Sequence, residues 1–124
     1  MPNHIFFENN ALLLKSRVLQ LKDQNIVVAL SKNQALLIYC LMNKINEKAL
    51  LIEYIWPKQN HDLMEPRYNQ LVFKTRRALN ENGFPADFIL TLKGFGLCLN
   101  SDLFDMKEES FDRDVYMRTQ PFIL

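Results

Sequence analysis

From Glu65 to Asn80 the residues repeat with the period of a helix that has two unlike faces. Tyr68, Leu71, Val72, Thr75 and Leu79 gather within an arc of roughly 100° at 3.6 residues per turn. Arg67, Gln70, Lys74 and Arg77 gather on another arc, roughly 80° wide by the same geometry. Glu65 suits the positive end of the helix dipole and Pro66 suits the first helical position, so a helix is predicted over 66–80. No acidic residue lies between Glu65 and Glu81, which makes the polar face cationic and amide-bearing. A solvated basic face on an ordinary core helix would read the same way, so the surroundings must decide. Asn82-Gly83 and Pro85 break the chain, and Phe88 to Leu99 then reads as an apolar hairpin with Gly94 and Gly96 at its tip.

Upstream, the N-terminal third reads as a small antiparallel sheet. Ile5 to Phe7 and Ala11 to Leu14 flank the turn Glu8-Asn9-Asn10, and Val18 to Leu21 and Ile26 to Ala29 flank Lys22 to Asn25. Phe6 and Phe7 read as core or sheet-packing residues. Ser31-Lys32-Asn33-Gln34 is a capping-box pattern opening a helix that runs to about Lys44 and buries Leu36, Leu37, Cys40 and Leu41. Asn46 reads as the cap of a second helix, Glu47 to Trp56, with Leu51, Ile52 and Ile55 inside and Pro57 ending it. Residues 57–64 read as a polar loop.

The 124 residues, 48% hydrophobic, suit one domain with a real core. Net charge is +1, which names no partner, but its distribution is uneven. Residues 1–100 carry 12 Lys+Arg against 8 Asp+Glu, and residues 101–124 carry 3 against 6. A basic body therefore precedes an acidic tail. That tail holds Leu103, Phe104, Phe111, Val115 and Tyr116, so it is not composed like a simple linker. Cys40 and Cys98 sit in apolar runs and read as buried free thiols, not as a metal site or a disulfide. With no signal peptide and no apolar run long enough to cross a bilayer, a cytoplasmic protein is expected.

A basic helix followed at once by a hairpin is the order found in a winged helix, whose helix enters the major groove while the hairpin reaches the neighbouring backbone. Four ordered strings carry a closer likeness: Leu30 to Gln34, Leu51 to Trp56, Leu71 to Leu79 and Thr91 to Gly96. Over about residues 5 to 100 the chain resembles the winged-helix DNA-binding domain of OmpR/PhoB-type bacterial transcription regulators. The N-terminal placement is similar to the ToxR/CadC arrangement, in which a membrane anchor follows; the resemblance implies one here only if the natural chain continues beyond Leu124. The resemblance implies an α+β fold: a small N-terminal antiparallel sheet, a three-helix winged helix-turn-helix and a C-terminal hairpin wing at 91–97. It implies residues 1–100 as the DNA-binding domain and 101–124 as a tail or linker.

By the same resemblance, contacts to double-stranded promoter DNA fall on Arg67, Gln70, Lys74, Arg76 and Arg77 in the helix and on Thr91, Lys93 and Gly94 at the wing. The segment holding Lys58, Gln59, Asn60, His61 and Asp62 corresponds to one that touches RNA polymerase in some members, and a homodimer on DNA is a further implied partner. The chain departs from the family at Pro66, where many members have arginine, at Leu71, where many have a DNA-facing histidine, and at Leu97, where tyrosine is usual. These departures leave base preference open. No receiver domain is present, so phosphorylation control of that kind is not expected.

The expected chemistry is non-covalent. Arg67, Lys74 and Arg77 suit phosphate or guanine, and Gln70 has the amide geometry to read adenine. Phe73, at the edge of the cationic arc, suits either a thymine methyl or a half-buried packing role. His4 and His61 stand apart from any cysteine or carboxylate at triad or ligand spacing, so neither an enzyme nor a cofactor is expected. The rival reading is a winged helix that binds only protein. A positive stripe ending at Lys93 favours DNA; an apolar patch centred on Phe73 favours protein.

Overall fold

The computed structural model describes residues 5–101. These residues are α+β, with four N-terminal strands, three α-helices and then a hairpin. Strands β1 (Phe6–Glu8), β2 (Leu12–Lys15), β3 (Val18–Leu21) and β4 (Ile26–Ala29) form an antiparallel sheet in sequence order. Asparagines set two of its turns. Asn9 Oδ1 accepts from the amides of Ala11 and Leu12 at 2.9 and 2.7 Å, and Asn25 closes the β3–β4 turn in the left-handed region. Leu12, Leu14, Leu19, Leu21 and Val28 point to the core by strand alternation. The same alternation separates the two phenylalanines of β1. Phe7 packs on the core, whereas Phe6 stands exposed on the opposite face, which corrects its reading as a packing residue.

Helix α1 (Lys32–Met42) opens with the capping box expected of it: Ser31 Oγ accepts from the Gln34 amide at 3.2 Å, and Gln34 Oε1 accepts from the Ser31 amide at 2.8 Å. It is buried almost all round, because it touches the sheet, both other helices and the hairpin. Helix α2 (Lys48–Ile55) buries Leu51, Ile52 and Ile55 as its periodicity requires. Asn46 is not its cap. Glu47 holds that position without a side-chain bond, and Asn46 is turned to the hairpin instead.

Helix α3 (His61–Glu81) is longer than expected. Asn60 caps it through Oδ1, which accepts from the amides of Asp62 and Leu63 at 2.8 and 3.4 Å. Pro66 therefore lies inside the helix and not at its first position. It withholds the amide that would reach the Asp62 carbonyl, a defect tolerated here with a full cap upstream at Asn60. The expected loop 57–64 shrinks accordingly. Lys58, Gln59 and Asn60 remain in the turn, while His61 and Asp62 belong to the first turn of α3.

Strands β5 (Ile89–Leu92) and β6 (Gly96–Leu99) form the hairpin, with Ile89 and Leu97 buried. No helix among the described residues is long and apolar enough to cross a membrane. The acidic tail expected at 101–124 lies, beyond Ser101, outside the described residues, as does His4.

Candidate nucleic-acid interface

The two arcs of α3 separate as the spacing requires. Tyr68, Leu71, Val72, Thr75 and Leu79 are its buried residues. Thr75, the one polar member, is satisfied by donating from Oγ1 to the Leu71 carbonyl at 2.7 Å, the back-bond open to a helical threonine. Leu71 is thus a core residue, as its helical spacing requires. Arg67, Gln70, Lys74 and Arg77 are all exposed on the outer face. Arg77 Nε donates to Glu81 Oε2 at 3.1 Å across one helical turn, an exposed pair of little energetic weight that leaves the guanidinium accessible.

Arg76 does something different. It lies outside the cationic arc, on the side of α3 that faces the hairpin, and its Nη2 donates to the Ile89 carbonyl at 3.1 Å and to Thr91 Oγ1 at 2.8 Å. Two residues assigned to DNA by resemblance are therefore bonded to each other, and the bond braces the hairpin against the helix. Lys93 and Gly94 are exposed at the hairpin tip. The Leu92-to-Phe95 turn carries its third residue, Gly94, at φ +77°, with the Phe95 amide donating to the Leu92 carbonyl at 2.8 Å.

A second brace comes from α2, and sequence reasoning missed it. The Lys48 amide donates to the Phe95 carbonyl at 2.9 Å, and the Leu97 amide donates to the Asn46 carbonyl at 3.0 Å. Asn46 Nδ2 donates to the Leu97 carbonyl at 2.8 Å. The backbones meet so closely at Gly96 that a Cβ there would lie 1.9 Å from the Asn46 oxygen. A second glycine beside the turn glycine is the only sequence signal of that contact, since one glycine suffices for the turn.

Between α2, α3 and the hairpin runs a groove of about 720 Å³, lined in part by Asn69, Phe73, Arg76, Thr91 and Phe95. Glu47, Asp62 and Glu65 also line it, with Glu65 paired to Lys48. The groove is therefore not a cationic channel; positive charge lies on the outer arc of α3 and at Lys93. Phe73 is 62% exposed, which excludes the half-buried packing role, and Phe95 is 52% exposed. Lys48 also stands over the Tyr68 ring, 5.4 Å from its centre. Burial pushes the Tyr68 phenol above its ordinary range, with Glu65 adding to the rise and Arg76 opposing it.

His61 Nε2 lies 3.2 Å from Glu53 Oε1, linking the start of α3 to α2. Together with Lys58, Gln59, Asn60 and Asp62 it forms a polar corner, which the structure does not bring into the cationic arc. Cys40 is buried and its thiol is pushed up to about 12 by desolvation, so it stays protonated and unreactive. Among the described residues, no three His, Cys, Asp or Glu side chains converge to hold a metal. No protein-family model matches the chain, and no curated protein matches it.

Proposed function

We propose that this chain is a winged-helix domain that binds double-stranded DNA as a transcription regulator, with α3 in the major groove and the hairpin on the adjacent backbone. The observation that carries the reading is the division of α3. One arc is core, the opposite one presents Arg67, Gln70, Lys74 and Arg77 to solvent, and Lys93 stands exposed on a hairpin tied to the same helix. On this reading the arginines and lysines hold phosphate, and Gln70 and Phe73 meet base edges. Arg76 and Thr91 position the wing. Placement among OmpR/PhoB-type regulators, a ToxR-like arrangement and contact with RNA polymerase are parts of the same proposal.

Binding to duplex DNA should weaken steeply with salt, because each cation that meets a phosphate releases condensed counterions. With about four to six such contacts, log K against log salt should slope at roughly −4 to −5. Affinity that does not move with salt, or no binding to any promoter-sized duplex at low salt, sinks the proposal. Within a preferred site, Gln70→Ala should cost about 1–3 kcal/mol and relax base preference, leaving the salt slope unchanged.

The exposure of Phe73 and Phe95 favours a second reading, a protein-binding module that uses the groove. Charge substitution separates the two. Loss of Arg67, Lys74 and Arg77 abolishes DNA binding on the first reading, and leaves partner binding in the groove intact on the second.

A further inference from the structure

We propose that Phe95 is a preset wedge: on a bound duplex it enters the minor groove, parts two stacked base pairs and kinks the DNA. This rests on the DNA-binding reading above and adds a deformation to it. Among the described residues several large apolar side chains are exposed, but of these only Phe95 sits at a hairpin tip whose backbone is held from both sides. Its amide is bonded within the turn and its carbonyl is bonded to the start of α2. The next residue, Gly96, is pressed against Asn46, and Arg76 ties the other strand to α3 through Thr91.

A phenylalanine left in water forgoes the stabilisation of burial, and here the fold leaves it exposed while fixing its backbone. Such bracing lowers the ordering cost of inserting the ring into a partner. The tip is also narrow. Gly94 has open space where a side chain would be, and Lys93, one residue earlier, places an ammonium group for the flanking phosphate. Apolar side chains used in this way unstack flexible pyrimidine–purine steps most cheaply. A protein-binding role for the same ring is the alternative that the experiment must exclude.

A duplex selected from a random pool by the full chain, labelled at both ends with a fluorescence donor and acceptor, reads the bend directly. The wild-type chain should bend it by about 20–90°, the range of side-chain wedges. Phe95→Ala should lose most of that bend with an unchanged melting temperature, since the ring is exposed, and Phe95→Leu should retain it. Replacing the pyrimidine–purine step by a stiffer one should weaken the wild type more than Phe95→Ala. A straight wild-type complex, or equal bending by Phe95→Ala, overturns the wedge while leaving DNA binding standing. Failure of the wild-type chain to select any duplex overturns the DNA-binding reading, and the wedge with it.

Discussion

Gly96→Ala is expected to lower stability by about 2–4 kcal/mol, because the new methyl cannot coexist with the contact between the hairpin and α2. Its Cβ would sit 1.9 Å from the Asn46 oxygen, which is backbone and cannot swing aside. The hairpin must then leave α2, breaking the Lys48–Phe95 and Asn46–Leu97 hydrogen bonds and loosening the buried Leu97 side chain. At about 1 kcal/mol for each of three bonds the figure follows. In a domain this size it corresponds to a fall in melting temperature of about 10–20 °C. Gly94→Ala is the control. Nothing lies within 4 Å of its Cβ, and only the left-handed φ of +77° is strained, at about 1–2 kcal/mol. Thermal melts should therefore rank Gly96→Ala well below Gly94→Ala. Equal melts would mean that the hairpin does not rest on α2. On the proposed function, Gly96→Ala should also weaken DNA binding more than its stability loss explains, since Lys93 and Phe95 leave their places.

Phe88→Ala should be the most damaging single truncation, at about 3–5 kcal/mol. Phe88 is 1% exposed and meets the Phe84 ring edge-on, with centroids 5.2 Å apart and planes at 78°. Removing the ring loses its transfer free energy, leaves a cavity and ends an aromatic contact that itself contributes about 0.5–1.5 kcal/mol. The backbone at Phe88 also accepts from the Asn100 amide at 2.9 Å, so the base of the hairpin loosens with the core beneath it. Against a total stability of about 5–15 kcal/mol for a typical domain, such a loss brings the chain close to unfolding at physiological temperature. Phe6→Ala, on the exposed face of the sheet, should change the melt little. Chemical denaturation of the two variants checks the contrast: a Phe88→Ala midpoint near that of the wild type would mean the ring is not core.

Where local rules suffice, the structure follows them. The capping box at Ser31, the inner stripe of α2, the two arcs of α3 and the four antiparallel strands each depend on residues a few positions apart. The exceptions share a cause. Pro66 reads as a helix start because proline suits that position, yet Asn60 caps an earlier start at His61 and the helix runs through the proline. Asn46 reads as a cap because asparagine often is one, yet its partner lies in the hairpin, 51 positions along the chain. Arg76 reads as a DNA contact only through the family resemblance, since its spacing leaves it off the cationic arc, and the arrival of Thr91 beside it reveals a strut.

The sequence by itself determined the α+β class, the core face of α3 and the residues of its cationic face, because helical and strand periods are properties of consecutive residues. The tertiary structure decided how that face is framed: which cations stay exposed, that the neighbouring Arg76 is bonded to the hairpin, and which aromatic side chains the hairpin presents. Those outcomes depend on backbones that meet only after the chain has closed on itself, as at Gly96 and Asn46, and no local pattern encodes such a meeting.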